Sequence, residues 1–284
     1  MSQRCSELSL ALGEPLAATA TSAERWLLLE VPGAWPRDVA DKGALPEPAR
    51  AAVDAWLAAA PRSRLQLIRR PDRRSETRLA FVVTAREHQA EMRRVELASL
   101  DQLADVDLDA ASEAIGGSLV LVCGHGSRDR CCAAFGTPVY GTLAERLGKE
   151  EVWLSSHQGG HRFAANLLVL PAGLHFGRVQ RSDAPLVVAR ALAGRIDLDR
   201  YRGRTCYPGA VQAAEAAVRR EARLEGVTEL ELESLDDGLV RLRTWSGERF
   251  EVAVEETDGP SVPASCGEAA KAQRHFRVAS LSKI

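Results

Sequence analysis

Polar and apolar positions along the chain fall into short runs. Arg25 to Val31 (RWLLLEV) is apolar and stops at PGAWP, which predicts a buried strand followed by a loop. From Glu47 to Ala60 the apolar residues recur at helical spacing, and Pro61 and Arg62 close the run, so a helix is predicted. RLQLIRR (64–70) alternates as a strand does. TRLAFVVTA (77–85) and EMRRVELASL (91–100) predict a hairpin across REHQA, and LDQLADVDL (100–108) a short helix. The order is β-α-β-β-β-α. The next segment predicts the same order. SLVLVCG (118–124) is a buried strand, VYGTLAERLGKE (139–150) a helix and EVWLSS (151–156) a strand. NLLVLP (166–171) and LHFGRVQ (174–180) flank an Ala-Gly turn, and APLVVARALAGRI (184–196) is a closing amphipathic helix. The two stretches, about 90 residues each, do not align visibly. A structural repeat and two unrelated α/β segments are therefore both open.

The tail differs. GAVQAAEAAVRREARLEGV (209–227) predicts a helix with a glycine stop. ELELESL (229–235), LVRLRTW (239–245) and ERFEVAVEE (248–256) alternate, which predicts a small antiparallel sheet with one wet face. Residues 256–273 read as loop, and HFRVASL (275–281) as a last strand. The expected class is α/β. An N-terminal α/β domain spans 1–112, a second α/β domain 113–200, and an α+β region 201–284.

Composition narrows the function classes. A net charge of −2 over 284 residues gives no reason to expect nucleic acid or an anionic membrane as partner. No apolar run approaches the roughly 20 residues that span a bilayer. The N-terminal stretch carries Glu7 and Glu14 inside its apolar part and makes a poor signal peptide, so a cytoplasmic protein is expected. In a reducing compartment disulfides are not expected, and clustered cysteines point to metal or redox chemistry. Cys5, Cys206 and Cys266 stand alone in sequence and read as small hydrophobes.

The chemistry concentrates in two stretches. VCGHGSRDRCC (Val122 to Cys132) holds three cysteines and a histidine in eleven residues, and SSHQGGH (Ser155 to His161) adds two histidines. One predicted strand ends at Cys123, the following loop carries Cys131 and Cys132, and a second strand ends just before His157. In a parallel sheet these strand ends lie on one side, so the two stretches can meet. Gly159 and Gly160 disfavour a helix interior, which predicts a glycine loop entering a helix near His161. Two sulfurs and two imidazoles suit zinc or an iron–sulfur cluster of mixed ligation. Cys123 and Cys132 have eight residues between them, a looser spacing than structural zinc sites use. Cys123-Gly-His125 resembles a Rieske start, but the matching Cys-x-x-His is missing, which leaves His125 little support as a ligand. Arg128 and Arg130 could activate a thiol, though without a Cys-x-x-Cys motif, and the histidines would go unexplained. Arg128 could instead pair with Asp129. Trp35, Trp153 and His175 read as packing residues.

At these residues the chain resembles the sucrase/ferredoxin-like family, which includes a yeast protein linked to actin-patch distribution. The family pattern stands here as Cys123, His125, Arg128, Asp129 and Cys132, then His157, Gly159, Gly160 and His161. The opening CSELSLALGEPLAATA and the late VPASCG extend the resemblance over nearly the whole chain. It implies a thioredoxin-like ferredoxin domain over 113–200 and a [2Fe-2S] cluster held by Cys123, Cys132, His157 and His161. Cys131 stands where some relatives carry arginine, which keeps it open as an alternative to Cys132. The expected function is then electron transfer or redox sensing, with a reductase or acceptor protein as partner. The resemblance also implies homodimer formation. Imidazole ligands would raise the potential above plant-type values, and would make it pH-dependent if their N–H groups face solvent. A zinc-stabilised binding module and a thiol-based oxidoreductase are the alternatives. No pair of carboxylates stands out for glycoside hydrolysis.

Overall fold

The computed structural model describes residues 4–39, 43–148 and 150–284. The chain opens with helix α1 (Cys5–Ala11), which the sequence pattern did not predict. Strands β1 (Arg25–Glu30) and β2 (Ser63–Arg69) run parallel, joined through helix α2 (Glu47–Ala58). β3 (Arg78–Ala85) pairs antiparallel with β1, β4 (Ala90–Leu97) with β3, and after helix α3 (Leu108–Ala111) the short β5 (Glu113–Ile115) with β4. The second half repeats the scheme. β6 (Leu119–Cys123) and β7 (Val152–Ser155) are parallel and joined by helix α4 (Arg130–Leu147). β8 (Leu167–Leu170) pairs antiparallel with β6, and β9 (Leu174–Phe176) with β8, before helix α5 (Ala184–Leu192).

The two halves share one sheet. β2 pairs antiparallel with β7, Ile68 opposite Ser155 and Arg69 opposite Leu154. Among the described residues the ten-strand order is β10-β9-β8-β6-β7-β2-β1-β3-β4-β5, where β10 (Tyr201–Arg204) is an edge strand. Read outward from the centre, one half runs β2-β1-β3-β4 and the other β7-β6-β8-β9. The shared β-α-β-β-β-α order is thus a structural repeat about a local two-fold at β2 and β7, despite the absence of visible sequence alignment.

Side-chain alternation explains why the helices sit where they do. Leu27, Leu29, Val120 and Val122 face one side of the sheet and pack in one core with Val53 and Trp56 of α2, Val139 and Leu143 of α4, and Val187 and Val188 of α5. Trp26, Leu28, Leu121 and Trp153 face the other side in a separate cluster. Each fully buried side chain of this size contributes about 1.5–3 kcal/mol. Helix α6 (Gly209–Ala222) covers a separate antiparallel sheet, β11 (Leu230–Asp236), β12 (Leu239–Thr244), β13 (Arg249–Pro263) and β14 (Ala270–Lys283).

Three elements depart from the sequence pattern. Helix α4 begins at Arg130, well before Val139, so Cys131 and Cys132 lie in its first turn rather than in a loop. Asp129 caps it by accepting the Cys131 N–H at 2.8 Å. Gly136 and Pro138, which obscure the helical pattern, both lie inside it. Gly136 is required there, because a Cβ would meet the Cys123 carbonyl oxygen at 1.9 Å. The helix ends at Leu147, and Lys149 of the longer predicted helix lies outside the described residues. Residues 256–273, expected as loop, mostly continue β13 and β14, which pair from Phe250 and Lys283 as far as Pro263 and Ala270. Glycine, proline and a bulge between Asp258 and Ser261 hide that ladder. β10 was unpredicted because its sequence, YRGR, is polar; its arginines are buried by hydrogen bonding.

Glu14 joins three remote parts of this fold. Its carboxylate accepts from Ser9 Oγ at 2.6 Å and from Arg162 Nε at 2.6 Å, and lies 3.4 Å from His275 Nε2 on β14. Burial alone would raise the carboxyl, but His275, Ser9 and Arg162 outweigh it and hold it below its ordinary value. A depressed carboxylate contributes stability that is full above the unfolded value of about 4.3 and is lost as pH falls through the lower folded value. Glu14→Gln is therefore expected to be less stable at neutral pH and to lose less further stability on acidification below about pH 4, measured by urea unfolding across pH. Gly136→Ala is expected to push α4 off β6 and cost about 1–3 kcal/mol, read from the same unfolding curves at neutral pH.

Candidate metal centre

The chain path brings the two chemical stretches together. Cys123 closes β6, and Cys132 faces it from the first turn of α4. His157 follows the end of parallel neighbour β7. Ligand atoms of Cys123, Cys132 and His157 all lie within 4.8 Å of one another. His157 Nδ1 is 3.9 Å from Cys132 Sγ. The His161 ring sits beside the His157 ring, with centroids 4.9 Å apart and tilted by 36°. Cys123 and Cys132 are 1% and 0% exposed and His161 8%, whereas His157 is half-buried.

The glycines set the histidine pair. Gly159 and Gly160 adopt φ of 92° and 68°, and His161 opens a single 3₁₀ turn, His161–Phe163. These left-handed conformations are open to glycine at little cost. A Cβ on Gly160 would also meet Arg202 Nη2 at 2.6 Å. Arg202, 1% exposed on β10, donates to the Gly159 carbonyl at 3.0 Å and to Asn166 Oδ1 at 2.8 Å. Asn166 Nδ2 in turn donates to the Gly160 carbonyl at 3.0 Å. The Gln158 carbonyl accepts from Thr21 Oγ1 at 2.5 Å. Arg202, Asn166 and Thr21 thus hold the histidine loop. Sequence reasoning missed them because the contacts are made across the fold, and neither the burial of Arg202 nor the strand that carries it is visible in the polar YRGR stretch. His175 is fully buried beside Arg202, 3.1 Å away, as a packing residue.

Electrostatics divides the thiols. The Cys132 thiol donates to Cys123 and, with His157 adding to it, holds Cys123 well below the ordinary thiol range despite burial. The same bond and burial push Cys132 up. Burial, then His157, lowers the His161 imidazole below its usual value, against the pull of Asp129. His161 Nε2 is bonded to the Ala264 carbonyl. Its Nδ1 is buried with no hydrogen-bond partner among the described residues. A buried nitrogen without a partner is costly, and this one belongs to the ring that lies against His157. Two buried sulfurs and an unpartnered imidazole nitrogen fit a transition-metal centre better than they fit a thiol catalyst.

The bystanders of the motif have structural tasks. His125 Nδ1 accepts the His157 backbone N–H at 3.1 Å, and its Nε2 donates to the Pro36 carbonyl at 2.7 Å. Both ring nitrogens are therefore occupied. Arg128 pairs with Asp38 at 3.6 Å rather than with Asp129. Cys131 points away from Cys132's pocket. It meets Cys5 at 3.5 Å and Cys266 at 3.3 Å, sulfur to sulfur, so neither of those two cysteines is isolated in space. Cys206 packs in the core under α6.

Replacing His125 by Ala leaves the His157 N–H and the Pro36 carbonyl unpaired. The expected cost is about 1–3 kcal/mol, measured as a lowered urea midpoint.

Comparison with known proteins follows this geometry. A family model described as sucrase/ferredoxin-like matches residues 16–203, more than half of the chain. A protein of Meyerozyma guilliermondii, "Altered inheritance of mitochondria protein 32", is 29% identical over 118 residues, covering 38% of this chain and 42% of its own. Its namesake from Debaryomyces hansenii is 31% identical over 106 residues, covering 34% and 39%. The chain thus matches about two fifths of the length of these curated relatives. No solved structure matches it.

Proposed function

The chain belongs to the sucrase/ferredoxin-like family, and on that premise we infer that Cys123, Cys132, His157 and His161 hold a [2Fe-2S] cluster for electron transfer or redox sensing. The observation that carries this reading is the paired donor set. Two buried thiols from β6 and α4 lie with His157, and the neighbouring His161 ring carries a buried Nδ1 that has no hydrogen-bond partner among the described residues. Cys123 and Cys132 would hold one iron of such a cluster, and His157 and His161 the other. Cys131 is left out, because its sulfur lies among Cys5 and Cys266. The order β-α-β-β-β-α around a central parallel pair supports a thioredoxin-like reading of the half that carries the site.

A bound cluster supplies a one-electron store whose potential its ligands set. His157 and His161 bring no negative charge where other ferredoxins use thiolates, so the potential sits above plant-type values. The Gln158 backbone N–H bonded to Cys123 raises it further. The Ala264 carbonyl fixes the far nitrogen of His161 away from solvent. His157, half-buried, gives a redox partner its access. Among the described residues no helix is long and apolar enough to cross a membrane. Six free cysteines suit a reducing compartment such as the cytoplasm.

A single zinc ion is the second reading, favoured by the 4.8 Å spread of the Cys123, Cys132 and His157 donors. Anaerobic purification separates the two. The cluster reading expects a red-brown protein with iron and acid-labile sulfide at about two each per chain. A colourless protein with zinc bound by two sulfurs and two nitrogens overturns it. His161→Cys is expected to keep the cluster and lower its potential, measured by redox titration monitored in the visible range.

A further inference from the structure

A second cluster of donors lies on the outer side of the α4 N-terminus. Cys5 comes from α1, Cys131 from the first turn of α4, and Cys266 from the turn between β13 and β14. Their sulfurs form a near-equilateral triangle, with edges of 3.5 Å (Cys5 to Cys131), 3.3 Å (Cys131 to Cys266) and 3.6 Å (Cys266 to Cys5). Asp129 Oδ1 lies 3.8 Å from Cys5 Sγ. Cys5 and Cys131 are 1% and 0% exposed.

We propose that Cys5, Cys131, Cys266 and Asp129 form a second metal site, a structural tetrahedral centre for a borderline-soft divalent cation of the zinc class. Tetrahedral zinc bound at about 2.3 Å to each thiolate sets its sulfurs about 3.8 Å apart. All three observed edges fall within half an ångström of that spacing. A disulfide needs a sulfur pair at about 2.05 Å and would strand the third thiol. The three sulfurs are equally close, and they arrive from segments 126 and 135 residues apart. Packing of three polarizable side chains from separate elements on one point has no need of a carboxylate, yet Asp129 is buried beside them at 4% exposure.

The fourth ligand follows from hydrogen-bond capacity. A carboxylate offers about four lone-pair sites. Asp129 Oδ2 accepts from the Cys266 N–H at 2.7 Å and from Ser265 Oγ at 2.8 Å, and Oδ1 accepts from the Cys131 N–H at 2.8 Å and from the Cys5 thiol at 3.8 Å. Loss of the Cys5 proton on metal binding frees that Oδ1 lone pair, and Oδ1 is the oxygen nearer to Cys5 Sγ, at 3.8 Å against 4.0 Å. The thiolate form is also prepared. Cys131 sits at the N-terminus of α4, where the helix dipole favours an anion. Its sulfur accepts from Ser6 Oγ at 3.2 Å. Binding the cation releases the remaining thiol protons to solvent and forms three metal–sulfur bonds and one metal–oxygen bond, with no change of oxidation state.

Such a centre ties the chain's beginning, the start of α4 and the β13–β14 turn into one knot. That turn carries Ala264, whose carbonyl binds His161 Nε2. The second site therefore clamps the backbone that positions the first, although its own metal does not depend on what the first site holds.

The test uses the full chain, incubated with excess zinc under reducing conditions, freed of unbound metal and examined by elemental analysis and zinc K-edge absorption. The expected result is one zinc per chain, with three sulfurs at about 2.3 Å and one oxygen at about 2.0–2.2 Å. Cys5→Ser and Cys266→Ser, made separately, are expected to lose that zinc and keep iron. Should either fail to fold, mass mapping of the parent after alkylation serves instead: Cys5, Cys131 and Cys266 should be protected until a chelator is added. Iron retained with no zinc, or a disulfide among the three cysteines, overturns this proposal alone. Zinc in a shell of two sulfurs and two nitrogens overturns both this proposal and the cluster reading.

Discussion

The close seating of α4 on the end of β6 is the constraint from which the rest follows. Gly136 lets the helix backbone approach the Cys123 carbonyl so closely that no side chain fits between them. Once the helix is seated there, its first turn is fixed over the strand end. Cys132 then faces Cys123 on the inner side, while Cys131, the preceding residue, faces outward. Adjacent helix positions point about 100° apart, so two neighbouring cysteines necessarily serve two different places. Asp129, as the cap, lies between them and is shared by both. Its carboxylate accepts from the backbone N–H groups of Cys131 and Cys266 and sits 3.8 Å from His161 Nε2 on the other side.

The internal repeat supplies the frame for this junction. The antiparallel contact of β2 with β7 joins the two halves at their central strands, so the sheet is continuous beneath the site. The N-terminal half carries no cysteine at the end of β1, yet it still contacts the site. Its loop after β1 lends the Pro36 carbonyl to His125 and the Trp35 carbonyl to Ser127 Oγ at 2.6 Å. Gln66 of β2 donates to the Ser156 carbonyl at 2.7 Å, next to His157. The N-terminal half therefore fixes the backbone around Cys123 and His157 in the other half.

Buried polar groups surround the centre. Arg202, Asn166 and Thr21 hold the glycine loop through its carbonyls, and the Gln158 side chain ties the loop to the Leu121 carbonyl of β6, so the loop that carries both histidines has little freedom to collapse. Fixed dipoles of this kind orient metal ligands and tune them. Among the described residues His161 Nδ1 has no hydrogen-bond partner, and neither do Gln158 Oε1 and Gln66 Oε1 nearby. The C-terminal sheet completes the enclosure, because the β13–β14 turn covers His161 and brings Cys266 to Asp129.

Period and punctuation in the sequence determined the β-α-β-β-β-α order of both halves and the alternating tail strands. Burial of apolar side chains at local spacing writes such features directly into the chain. Tertiary structure alone decided that the halves pair through β2 and β7, because edge-to-edge pairing uses backbone hydrogen bonds that carry no side-chain signature. It also decided that α4 starts at Arg130, since Gly136 and Pro138 weaken the local pattern and are explained only by the strand against which the helix packs. The same holds for Cys5 and Cys266. Each looks solitary in sequence, and only the fold, by bringing both ends of the chain to one helix terminus, makes them neighbours of Cys131.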